Sequence, residues 1–224
     1  MRLFLTVLCI SLTLSFPAMA QSNIALKRSL NDLNRIKPLQ NPRFETINEF
    51  RERRILDTTN KVAGIVKDAL FQPNGTITSL LVSFDRLRLN QEVYLNYQTL
   101  DIGSVSTGYR LGFRNEEIAS LYPELLANIE TAAGQNGLQS VKNVIGRNVI
   151  TDKGRRIGKV SDILFNESAT RVMGIYVNVT FQSLRNEGIA LPLNAVTFKQ
   201  RNTRDIVEIN QDFADNVIEY IRER

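Results

Sequence analysis

Histidine and tryptophan are absent from the 224 residues, and the one cysteine, Cys9, lies among the first twenty. Beyond residue 20 the chain therefore has no imidazole for acid–base work, no thiol nucleophile and no ordinary His/Cys zinc site. Disulfides are excluded as well, so packing and hydrogen bonds must hold the fold. No glycine-rich turn leads from a strand into a helix to cradle a phosphate, and the acidic residues do not fall in calcium-loop spacing. These absences predict a protein that is not an enzyme, with no catalytic residue, no cofactor and no metal.

What the sequence does have begins with MRLFLTVLCISLTLSFPAMA, residues 1–20: an early charge at Arg2, an apolar run, then Pro17 and the small residues Ala18 and Ala20. This order predicts a signal peptide cleaved before Gln21 and an exported protein, periplasmic or secreted. Leu8 stands before Cys9 where lipoprotein processing needs a small residue, which argues against lipidation. Removing 20 of 224 residues leaves 204, and losing Arg2 lowers the formal charge from +5 to +4. So mild an excess favours anionic surfaces weakly and does not imply nucleic acid.

The strongest pattern is a repeat at an offset of 94 residues. GIVKDALF at 64–71 matches GKVSDILF at 158–165 in five of eight positions, pairing Gly64 with Gly158 and Asp68 with Asp162. The register persists, with shifts of only one or two residues. Leu80, Val82 and Phe84 answer to Ile175, Val177 and Val179, then Val93, Leu95 and Tyr97 to Ile189, Leu191 and Leu193, and Leu111 and Phe113 to Val207 and Ile209. Each set lies at every second position, the period that places side chains on one face of a strand. Four strand signals in the same order predict two small antiparallel β-barrels in tandem, each followed by a helix. Gly154 and Asn60 fall at the equivalent turn, where a hairpin needs a left-handed residue.

The flanking segments read as helices. Residues 21–43 form an N-terminal helical segment with Leu26, Leu30 and Leu33 at helical spacing; it is expected either to pack on the first barrel or to engage a partner. A closing helix is expected from Asn115 as cap, through Ile118, Leu121, Tyr122, Leu125 and Ile129, with a kink at Pro123. A second should start at Asn210 and bury Phe213, Val217 and Ile221. The modules then run 44–133 and 138–224, joined near AAGQNG at 132–137.

At this point VIGRNVITDKGRRIGKVSDILF, RVMGIYVNV and IALPLNAVTF in the second module resemble the PRC-barrel domain family. The first module resembles it less, with Glu52 in place of Gly146, Asn60 in place of Gly154, and LNYQTL at 95–100 in place of LPLNAV. The resemblance implies a compact β-barrel of a kind used for assembly or as an adaptor and not as a catalyst; the internal repeat makes it a tandem, and residues 1–20 place a signal peptide before it.

Asp68 and Asp162 are charged residues among apolar neighbours, on strands whose alternation puts apolar residues on both faces. A β-bulge beside each aspartate would reconcile the pattern, with the carboxylate accepting backbone hydrogen bonds or pairing with a base. As equivalents in separate barrels the two should lie far apart, which argues against paired-acid catalysis. Arg51, Arg53 and Arg54, and Lys153, Arg155, Arg156 and Lys159, form two basic clusters. They are either solvated faces or a docking surface. The expected partner is another envelope protein; anionic lipid or an envelope polymer is the alternative, and nucleic acid is disfavoured because no stacking aromatics interleave with these charges.

Overall fold

The computed structural model describes residues 18–84, 89–97, 102–118, 120–121, 123, 137–181, 187–201 and 203–224. Helix α1 (Ala18–Arg35) comes first, then β1 (Phe44–Glu45), α2 (Ile47–Glu52), β2 (Arg54–Leu56), β3 (Val62–Phe71), β4 (Ile77–Phe84), β5 (Leu89–Asn96), β6 (Gly103–Val105) and β7 (Gly108–Arg110). The second half repeats the series as β8 (Gln139–Ser140), α3 (Val141–Val144), β9 (Asn148–Thr151), β10 (Arg156–Asn166), β11 (Val172–Val179), β12 (Gly188–Pro192), β13 (Val196–Arg201), β14 (Arg204–Ile209) and α4 (Gln211–Arg222).

The protein is mainly β, and the alternation seen in the sequence is the inside face of two sheets. Leu80, Val82, Phe84, Val93 and Leu95 are buried in one sheet, and Ile175, Val177, Val179, Ile189 and Leu191 in the other. Asn60 and Gly154 take the left-handed backbone their turns require, with φ of +62° and +84°. Gly64 and Gly158 have a different reason. A Cβ at Gly158 would collide with the carbonyl oxygen of Asn178 on β11, and one at Gly64 would crowd that of Ser83 on β4.

The sheets are not purely antiparallel, and no closed barrel is formed among the described residues. Each is seven-stranded and mixed, in the orders β5-β4-β3-β2-β7-β6 and β12-β11-β10-β9-β14-β13, with β8 added to β3 and β1 to β10. The parallel pairs are β2 with β7 and β9 with β14. In the second sheet the cause is the turn at Leu193–Ala195, which carries the chain from β12 to β13 without reversing it, so β14 returns in the direction of β9. In the first copy the last strand signal falls short, since β7 ends at Arg110, before Leu111 and Phe113.

Helix α1 packs on the second module, not on the first. The Asn34 side chain donates to the carbonyl of Ala190 at 2.8 Å and accepts its N–H at 2.9 Å, so one amide occupies both groups of the edge residue on β12. Leu30 is buried there, and Lys27 pairs with Glu219 of α4 at 2.8 Å. Residues 1–17 lie outside the described residues, and α1 spans the predicted cleavage point. Among the described residues no helix is long and apolar enough to cross a membrane.

Helix α4 starts at Asn210 and buries Phe213, Val217 and Ile221 as expected, and the Asn210 side chain caps it by accepting the N–H of Asp212 at 2.8 Å. Asn115 does not cap its helix. The helix begins at residue 115 itself, and other acceptors serve its start: Glu117 accepts the N–H of the preceding Arg114 at 2.6 Å, and the buried Asp57 accepts the Asn115 N–H at 3.3 Å. Pro123 is helical and exposed, but its neighbours Tyr122 and Glu124, and with them Leu125, Ile129 and most of the linker, lie outside the described residues.

Candidate functional site

The two modules are clasped by exchanging their first elements. β1 pairs with β10, aligning Phe44 with Asn166 and Glu45 with Phe165, while β8 pairs with β3, aligning Ser140 with Leu70 and Gln139 with Phe71. Each module's opening strand thus completes the other's sheet. The hairpins at residues 72–76 and 166–171 meet beside the crossing, where Val172 donates to Gly75 at 2.8 Å and Ile77 to Thr170 at 3.2 Å.

The repeated aspartates are the pins of this clasp. The ladder of β3 slips between Val66 and Asp68, and that of β10 between Val160 and Asp162, which are the bulges the mixed polarity called for. Each carboxylate is turned out of the apolar row and toward the helix of the opposite module. Asp162 accepts the N–H of Ile47 at 2.9 Å and that of Ile163 at 2.7 Å. Asp68 accepts the N–H of Lys142 at 2.8 Å and the Ser140 hydroxyl at 2.6 Å. Unsatisfied donors in the first turn of a helix need such an acceptor.

Burial raises the pKa of the Asp162 carboxyl, the backbone donors only partly counter it, and the nearby Glu49 adds to the rise. A carboxyl raised in the folded state favours folding when protonated. Its contribution is full below the ordinary value of about 4 and is lost as pH rises through the folded value. Asp162→Asn keeps the acceptor and removes the charge. The variant is expected to match or exceed the parent in stability at pH 7 and to lose this part of the pH dependence, read by urea denaturation between pH 4 and 7. Clear destabilisation at pH 7 would show that the charge itself is needed.

A second pair of equivalents surrounds the pins. Arg53, 4% exposed, forms a two-pronged pair with Glu45, Nε to Oε2 at 2.8 Å and Nη2 to Oε1 at 2.5 Å. It also donates to the carbonyls of Val105, Gly108 and, across the seam, Glu167 at 2.7 Å. Burial alone would lower its pKa, but the Glu45 hydrogen bond and charge, with the neighbouring tyrosines, leave it raised. Ninety-four residues on, Arg147 donates to Gln139 at 2.8 Å, the counterpart of Glu45, and to Asp205 at 3.1 Å. Aromatic rings fill the remaining space: Phe50 stacks on Phe165 at 4.4 Å, Phe71 meets Phe198 edge-on at 5.6 Å, and Tyr109 donates to Ala169 at 2.6 Å.

The predicted basic clusters separate into different roles. Arg53 is withdrawn from solvent and cannot reach a docking partner, because its five donors are consumed within the clasp. Arg51 is half-buried and Arg54 exposed. In the second cluster Arg155 is bound to Asp215 at 2.5 Å and covers the ring of Phe181, while Lys153, Arg156 and Lys159 are exposed along the β9–β10 hairpin. Asp68 and Asp162 serve opposite ends of the clasp and share no bonding partner.

The sequence of residues 138–216 matches the family model of the PRC-barrel domain. A PRC-barrel domain occupies this span. It takes in β9 to β14, every strand of the second sheet except the added β1, together with β8, which pairs in the first sheet, and the first turns of α4. The PRC-barrel domain thus supplies Asp162, Arg147 and the three exposed cations, and borrows β1 and α2 to complete its own edge. No curated protein matches the chain.

Reading the sequence missed Glu45, Gln139 and Arg147, and did not foresee that the modules interpenetrate. Their signal was the same offset of 94 that exposed the aspartates: Glu45 with Gln139 and Arg53 with Arg147. Thr46 and Glu49 also stand in capping-box spacing, and Glu49 accepts the Thr46 N–H at 2.7 Å.

Proposed function

We propose that the protein is an exported, non-enzymatic scaffold in which two PRC-type barrels, the first of them divergent, act as one rigid body that binds another envelope protein. The observation that carries this reading is the use made of the buried polar side chains. Asp68, Asp162, Arg53 and Glu45 all bond across or beside the seam between modules, an arrangement suited to fixing two binding surfaces relative to each other. Among the described residues no three or more acidic groups converge as a metal site would require.

Export rests on the leader-like residues 1–20, and cleavage before Gln21 would leave most of α1 to hold the β12 edge. A second reading has its own support. Lys153, Arg156 and Lys159 are exposed on one hairpin and could dock an anionic lipid or polymer. Cross-linking in intact cells, with purification at low and high salt, separates the two. A protein partner retained at high salt is the expected result; release of everything by salt favours the electrostatic reading. Absence of any cross-linked protein in both conditions overturns the scaffold.

A further inference from the structure

Strand β13 ends the pairing order of its sheet, with β14 on one side and no described strand on the other. Its register runs from Val196 opposite Ile209 to Arg201 opposite Arg204, so two residues close the hairpin, and Thr203 has a φ of +63°. A two-residue loop makes Arg201 and Arg204 a hydrogen-bonded pair. By the alternation of an antiparallel ladder, Thr197 and Lys199 also face β14, while Phe198 and Gln200 turn their N–H and C=O groups outward.

That outward edge borders a cleft of about 410 Å³ at the seam, lined in part by the consecutive residues Phe198, Lys199 and Gln200. Consecutive side chains point to opposite faces of a strand, so only its edge can present all three. Across the cleft stand Leu70 and Tyr94 from the first module and Gln139 and Asn143 from the second. Burial raises the Tyr94 hydroxyl, which stays a neutral donor. The cleft's charges cancel, Arg147 against Asp205 and Lys199 against Glu208. The hairpin tip is different, because Arg201 and Arg204 are both exposed there.

We propose that β13 accepts a strand: an extended segment of a partner protein pairs with the outward groups of Phe198 and Gln200. Alternate side chains of that segment enter the cleft against Leu70 and Tyr94, and an acidic residue at one end meets Arg201 and Arg204. Main-chain pairing supplies affinity, and the cleft with the cationic tip supplies selectivity. The inference rests on the protein-binding reading above and names the form its partner takes.

The test selects displayed random peptides of roughly ten residues, a long strand's length, against the full chain. Selected peptides should share alternating apolar positions with Asp or Glu at one end, and their binding should slow hydrogen exchange at the Phe198 and Gln200 amides. Gln200→Pro removes one outward N–H without touching the β14 ladder. It should weaken binding about tenfold at an unchanged melting temperature. Should that variant not fold, Arg201→Glu with Arg204→Glu provides the second arm, and should reject the acidic-ended peptides. Failure to select peptides, binding indifferent to these variants, or protection of both amides already in the free protein would each overturn the proposal. A cross-linked partner indifferent to Gln200→Pro would leave the scaffold standing and remove only this edge.

Discussion

Replacing Arg53 by alanine is expected to destabilise the protein by about 3–5 kcal/mol, the cost of breaking a buried ion pair from one side. Glu45, only 19% exposed, would keep its charge with no partner, and the carbonyls of Val105, Gly108 and Glu167 would each lose a donor. Lysine should not rescue, since an ammonium cannot span Glu45 in two prongs while reaching three carbonyls. Urea denaturation reads the effect as a lower midpoint at unchanged slope. Arg147→Ala should cost less, because its Asp205 partner is half exposed and Gln139 carries no charge. A loss below about 1 kcal/mol at Arg53 would mean the pair holds nothing that water cannot replace.

Phe50→Ala is the other large effect, expected at about 3–5 kcal/mol for a fully buried ring. Phe50→Leu should retain most of that stability, because a branched aliphatic side chain fills much of the same space. What distinguishes the clasp from two modules in simple contact is where the damage appears. Phe50 stands on α2 of the first module, yet its ring lies at 6° to that of Phe165 on β10 of the second. Amide exchange along β10 should therefore quicken in the variant. Unchanged protection there would refute mutual support between the modules.

The aspartate phrase, the bulges, the left-handed turns at Asn60 and Gly154 and the start of α4 at Asn210 were all legible in the sequence, because each is local chemistry written within a few residues. The period-2 strands were legible for the same reason. The parallel pairing of β9 with β14 was not, because it depends on whether the chain reverses at residues 193–195, and no local residue signals that. Nor was the crossing of β1 and β8: short strands of two residues have no period to read, and the identity of a neighbour is set by packing over long separations. Arg53 shows the limit most directly. Among Arg51, Arg53 and Arg54 nothing marks the one that turns inward, until Glu45 and the carbonyls around it are placed.

For Asp162 the donor it secures lies 115 residues earlier in the chain, and for Asp68 it lies 74 residues later. Closures of this span are entropically costly to search and slow to form. A growing chain that has not reached residue 162 lacks the acceptor for the first turn of α2, so the clasp can close only once β10 has been synthesised.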